Sequence, residues 1–171
     1  MSSIEEVVDV VKSIISRPQL QTARDAKVVV GGANSASDVI SESTSTGTCW
    51  TFAFNCKGIL AKAILISATN AITPQCRLWL YTKVPTCGLL DNAAMNGPVA
   101  ADVNFLVGWI DFPAMNDSGS GHSFSIATPS TPGNAPLTFD KPTLYGVLES
   151  VDACTPGAVL WTILLEAEKA D

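Results

Sequence analysis

The chain has 171 residues, 47% of them hydrophobic and 15% charged, with a formal net charge of −6. That length suits one domain with a real core, and the prolines and glycines are scattered rather than gathered into a linker. The ten Lys and Arg form no basic stripe that would neutralise a phosphate backbone, so nucleic acid is not an expected partner. Soluble domains usually spend about a quarter of their residues on charge, and the shortfall here predicts surface buried against other proteins.

The first element in chain order is helical. SSIEEVVDVVKSIISRP carries Ile4, Val7, Val8, Val11, Ile14 and Ile15 at the spacing of a single apolar stripe. Ser2 or Ser3 with Glu5 or Glu6 supplies a capping-box start, and Pro18 supplies the stop. The valines lower helix propensity, and an isolated helix of this length is marginal in water, so it needs a surface to lie against. Burying its aliphatic side chains would contribute about 9–15 kcal/mol gross. Two roles follow: a partner-contact arm for attachment or oligomerisation, or a cover folded back over an open edge or face of its own domain. QLQTARDA reads as a polar connector. The predicted division is therefore residues 1–25, arm and connector, and residues 26–171, a β domain. MSSIEEVV is acidic where a secretory signal would be basic, and GILAKAILISA is interrupted by Lys62 and too short to cross a bilayer. Synthesis in a reducing cytoplasm without membrane association is expected.

From AKVVVGG onward, short apolar or alternating runs are separated by Gly, Pro, Asn, Asp and Ser, the pattern of an all-β sandwich or barrel. In CWTFAFN, Trp50, Phe52 and Phe54 share one face of a half-buried strand. KGILAKAILISA, QCRLWLYTKV, LVGWIDF, HSFSIAT, APLTF, TLYGVLESV and AVLWTILLEA follow at spacings too short for crossover helices, so the pairing is predicted antiparallel. Within LWLYTKV, Leu78 and Leu80 take one face, Trp79 and Tyr81 the other, and Pro85 ends the strand. DNAAMNGPVAADVNFL predicts a short helix in the 91–106 region, one or two turns capped by Asp91 and Asp102. AVLWTILLEA is apolar on both parities, which predicts a strand covered on two sides, either deep in the sandwich or pressed on a neighbour.

Motifs that carry chemistry are sparse. The five cysteines, at 49, 56, 76, 87 and 154, form no CxxC, and an odd number does not close into a complete intramolecular set, so they read as buried thiols. His122 lies in GSGHS, which lacks the GxSxG elbow of a serine hydrolase and any flanking feature that would lower a thiol pKa. GSG and Gly31-Gly32 match no phosphate-binding loop. Asp111, Asp117 and Asp140 are too isolated for a calcium loop, and no metal or cofactor is predicted. Glu42, Glu149 and Glu166 would make a glycosidase pair only if the fold brought two of them together. Asn116-Asp117-Ser118 matches a glycosylation sequon without a secretion signal to support it. Trp50, Trp79, Trp109 and Trp161 all sit in strand patterns and are predicted in the core; a carbohydrate-binding module would need at least two of them exposed and coplanar.

In order and spacing, the blocks LWLY, DNAAM, DVNFLVGWIDF, APLTFDKPTLYGVLES and TPGAVLWTILLEA resemble the small tailed-phage virion proteins described as head decoration or capsid cement proteins. The resemblance covers about Ala33 to Glu166 and is clearest from Arg77 onward. It implies an antiparallel jelly-roll-like β-sandwich on the exterior of an icosahedral capsid. It implies dimers or trimers that bind the major capsid protein and clamp neighbouring capsomers. It brings no catalytic residue and no cofactor, so the chain is not expected to be an enzyme. Residues 1–25 depart from the family pattern. The alternative function is a carbohydrate-binding β-sandwich module.

Overall fold

The structure, a computed structural model, describes residues 19–86 and 89–170. The predicted helix with its stripe of Ile4, Val7, Val8, Val11, Ile14 and Ile15 lies outside the described residues, as does Cys87.

Residues of alternating burial make the regular secondary structure of the described residues almost entirely strand: β1 (Leu20–Val28), β2 (Asp38–Val39), β3 (Trp50–Ala53), β4 (Gly58–Ser67), β5 (Cys76–Tyr81), β6 (Leu106–Phe112), β7 (Asn116–Asp117), β8 (Ser123–Ala127), β9 (Thr138–Phe139), β10 (Thr143–Ser150) and β11 (Leu160–Lys169). All pairings are antiparallel. One sheet runs β1–β11–β4–β8–β7, with β9 alongside the start of β4; the other runs β2–β10–β5–β6, with β3 also on β10. The eight principal strands visit the sheets so that β1–β11–β4–β8 faces β3–β10–β5–β6, which is the strand order of a jelly roll. The all-β sandwich expected from the sequence is therefore present.

The core lies between the sheets. Trp161, Ile163, Leu165 and Ala167 of β11 and Leu60, Ala63 and Leu65 of β4 point inward from one side. Trp50, Phe52, Leu78, Leu80, Leu144 and Leu148 meet them from the other. Leu78 and Leu80 share the inner face as predicted, while Tyr81 is buried on the outer face. There the long β5–β6 connection, residues 82–105, folds over a small second cluster of Val39, Tyr81, Met95 and Val147. The bulge between Leu80 and Tyr81 is taken up opposite by Gly108, whose φ of 145° lies outside the range favoured by side-chain-bearing residues.

Two expectations are corrected. QLQTARDA is not a connector: Leu20 to Val28 form the edge strand of the first sheet, with Leu20 opposite Glu168 and Val28 opposite Leu160. The segment is polar because an edge strand keeps one side wet, and of its inward residues Asp25 binds the opposite sheet's edge strand β3 while Lys27 binds the loop that leads into it. Thr51 N donates to Asp25 Oδ2 at 2.8 Å. The 91–106 region holds a single 3-10 turn, Val103–Phe105, and neither acidic residue caps it through its side chain. Asp102 instead accepts from Thr86 N and Thr86 Oγ1, and Asp91 accepts from Ser41 N at 2.8 Å, so both carboxylates tie distant segments together. Asn92, at φ 58°, makes the left-handed turn.

The Ser41–Thr48 loop packs against this corner so closely that a Cβ on Gly47 would lie 1.6 Å from the Leu89 carbonyl oxygen. Gly47→Ala is expected to cost about 1–3 kcal/mol, because the obstacle is backbone and does not rotate away. Urea denaturation with an unchanged midpoint would show that the loop spacing is not needed.

Candidate interaction surfaces

Two outer surfaces carry the side chains that stand out. The first is the outside of the β2–β10–β5–β6 sheet, where register sets Trp79 opposite Trp109 and Arg77 opposite both Asp111 and Glu149. The tryptophan rings sit 5.4 Å apart between centroids and are inclined at 49°. The Arg77 guanidinium lies 5.6 Å from the centre of the Trp79 ring and 5.5 Å from that of Trp109, within cation–π reach of both. Its Nε donates to Asp111 Oδ1 at 2.6 Å, and Trp79 Nε1 donates to Glu149 Oε2 at 2.7 Å. Glu149 is thus a buried carboxylate held by a tryptophan N–H and faced by Arg77. Trp109, at 40% exposure, is the open member of the group. This corrects the prediction of four core tryptophans: Trp50 and Trp161 are buried between the sheets, Trp79 is half-buried and Trp109 faces outward. Parity within LVGWIDF carried that signal, since Ile110 and Phe112 take the inner face. The 49° tilt gives no shared flat platform of the kind a sugar-stacking pair needs.

The second surface is the outside of the β1–β11–β4–β8 sheet. Direct partners across it are Leu164, Ile64 and Ile126 in one row and Thr162, Ile66 and Phe124 in the next, with Leu160 and Val28 beyond. Val28, Ile126 and Leu160 are exposed, and Ile64, Ile66, Phe124 and Leu164 are half-buried. A shallow trough in this face is lined by Arg24, Ile66, Leu160, Thr162, Leu164 and His122. Lys62 and Glu166 pair at 2.9 Å toward the end where β1 begins.

A polar cluster at the sandwich edge is structural. Lys27 Nζ bonds Glu42 Oε2 and the Thr48 carbonyl, each at 3.0 Å, and lies 5.6 Å from the Trp50 ring centre. Thr48 N donates to Glu42 Oε1 at 2.7 Å. Burial opposes the charge of Glu42, but hydrogen bonds from Thr48 and Lys27 override it and hold the carboxyl down at about 2. Nearby Asp91 moves the other way: burial raises it, the Ser41 amide opposes, and the charges of Asp38 and Glu42 add to the rise. Asp91 Oδ2 is buried with no hydrogen-bond partner, which fits a carboxyl whose ionised form is disfavoured.

The remaining sequence candidates are dispersed. Glu42 lies at the sandwich edge, Glu149 on one outer face and Glu166 on the other, so no two of the three are brought together. His122 is exposed, with its ring 6.3 Å from that of Phe124 and its carbonyl accepting from Ser118 Oγ at 2.6 Å. Cys49, Cys56, Cys76 and Cys154 are free thiols. Burial pushes Cys49 and Cys76 up and Cys154 up to about 11, which keeps all three protonated and poorly nucleophilic at neutral pH. Among the described residues no three His, Cys, Asp or Glu side chains are placed to hold a metal ion, and no helix is long and apolar enough to cross a membrane.

Comparison with protein-family models and with curated proteins returns no match. Among solved structures the chain is similar to the Eiger TNF of S. frugiperda, at 11% identity over 91% of this chain and 96% of that one, with a TM-score of 0.32. It is also similar to a chain of Triatoma virus, at 13% identity over 98% and 73% of the two chains, with a TM-score of 0.23. A chain of the infectious bursal disease virus Gx strain matches at 17% identity over 91% and 37%, with a TM-score of 0.13. The jelly-roll assignment rests on the strand order and not on these similarities.

Proposed function

We propose that this chain is a structural virion protein that binds the outer capsid surface and stabilises contacts between capsomers, working as a homo-oligomer against the major capsid protein. The observation that carries this reading is the Trp109–Trp79–Arg77 group, set rigidly on the outside of a jelly-roll sheet with Trp109 open. Tryptophan and arginine dominate the few residues that supply most of the energy of protein–protein interfaces, and a sheet presents them with little ordering cost. Asp111 and Glu149 hold the cluster in place without a ligand. The resemblance of the strand blocks to capsid cement proteins supplies the class of partner. No catalytic role is assigned to any residue, and the particle exterior is the proposed location.

The test is add-back to heads prepared without the protein. Wild type is expected to bind at high copy number and to raise the temperature at which the heads break. Trp109→Ala is expected to weaken binding about tenfold or more, an interface loss of about 1.4 kcal/mol or greater. Equal head survival with and without the protein would remove the cement reading. A tryptophan emission change on titration with polysaccharides would favour the carbohydrate-binding alternative.

A further inference from the structure

The outer face of the β1–β11–β4–β8 sheet is the opposite of what a free surface should be. Among the described residues, Leu20, Val28, Ile59, Ile126 and Leu160 are large aliphatic side chains left exposed, and all five stand on this face. Between them the half-buried Leu164, Ile64, Ile66 and Phe124 make the patch contiguous and free of charge at its centre. Free-standing domains rarely leave such a patch uncovered. We propose that a second copy of the chain packs on this face, sheet on sheet across a two-fold axis, so that the protein is a dimer before it meets any other partner.

Composition, shape and charge each favour a second copy over a different protein. Interfaces of permanent homodimers are more apolar than those of partners that meet and part, and a patch kept for the capsid would stand open in the free chain until assembly. Strands about 4.8 Å apart, with about 3.3 Å per residue from Leu20 to Val28, give the four-stranded face a size of about 19 Å by about 26 Å. Its projected area is therefore about 500 Å², and side-chain relief raises the accessible area toward the roughly 800 Å² per partner of a stable protein interface. Outward residues recur at every second position of each strand, so two such faces can interdigitate as inner faces do, about 10 Å apart and with strand directions about 30° from parallel. Lys62 and Glu166 are already paired, while Arg24 of β1 and Glu168 of β11 are exposed and make no ion pair among the described residues. A face with both signs at its margin offers itself a partner for each, which a surface of one sign does not. Trp109 stands on the other sheet, on the opposite side of the sandwich, and stays open in such a dimer.

The test is the mass of the full chain in solution by sedimentation equilibrium. Wild type is expected at twice 17.9 kDa at micromolar concentration. Ile126→Asp and Leu160→Asp change side chains that are already exposed, and each is expected to weaken self-association at least a hundredfold while circular dichroism shows the sandwich still folded. Either variant carries the test if the other folds poorly. Trp109→Ala is expected to stay dimeric, which separates this contact from capsid binding: loss of head binding with the dimer intact would leave the dimer standing, and the reverse would leave the capsid reading standing. A wild-type monomer at micromolar concentration would overturn the proposal and leave the face to residues 1–18 of the same chain or to the capsid. So would a dimer that survives both aspartates, or one that Trp109→Ala dissociates, since each places the contact elsewhere.

Discussion

Trp161→Ala is expected to remove about 3–5 kcal/mol of folding stability, while Trp109→Ala changes it by about 1 kcal/mol or less. The difference is one of parity and not of residue type. Trp161 points inward from the central strand β11, is 0% exposed, and donates its Nε1 to the Pro156 carbonyl at 3.4 Å. Its removal leaves a large cavity between two sheets whose backbones are fixed by their ladders, and a stranded carbonyl near it. Trp109 points outward, and its ring contacts are Trp79 and Arg77, which remain paired with Glu149 and Asp111 when it is gone. Chemical denaturation gives both values. A loss at Trp109 equal to that at Trp161 would show that the outer cluster holds the fold together, and would take away its assignment as a docking surface.

The second large effect lies at Lys27. Its side chain is only 10% exposed and bridges the edge of one sheet to the loop that leads into the other. Lys27→Met is expected to cost about 2–4 kcal/mol, because Glu42 is left charged and part-buried without its cation. The pH dependence follows in sign. Glu42 titrates at about 2 in the folded state, below its ordinary value of 4.5, so its stabilising contribution is complete above about 4.5 and is lost as the pH falls toward 2. With the Glu42 side chain 26% exposed, that contribution is about 1–2 kcal/mol after solvent screening. The stability gap between wild type and Glu42→Gln is therefore expected to be full at pH 6 and to close toward pH 2. A gap constant across that range would mean that the ionised carboxylate is not what the loop uses.

How much of this was legible beforehand depended on the range of each interaction. The antiparallel sandwich was readable because alternation is a local signal: Trp50, Phe52 and Phe54 announce their shared face within a few residues. The double-sided apolar pattern of AVLWTILLEA predicts a strand covered on two sides; among the described residues its inner face is covered, while Leu160 is exposed and Leu164 half-buried on the outer one. The edge strand at Leu20–Val28 was missed because a strand wet on one side and salt-bridged on the other resembles a polar linker. The roles of Asp91 and Asp102 were missed for a related reason. An acidic residue before a short apolar run has the local signature of a cap, and the partners that claim these two, Ser41 and Thr86, are 50 and 16 residues away. The tryptophan–arginine group was hidden similarly, because Arg77, Trp79, Trp109, Asp111 and Glu149 meet only through the register of three strands.

The order of the first sheet has a kinetic meaning as well. β11, the last of the described strands, fills the position between β1 and β4, so Leu20 finds Glu168 only after every intervening strand has been made. Until then β1 has no partner in its own sheet, and closure across so long a loop is slow. A ribosome-bound chain lacking β11 would expose the inward face of β4, including Leu60, Ala63 and Leu65, alongside an unpaired edge that invites strands from neighbouring nascent chains. Folding of this sandwich thus passes through its most association-prone moment just before β11 is made, and insertion of that single central strand ends it.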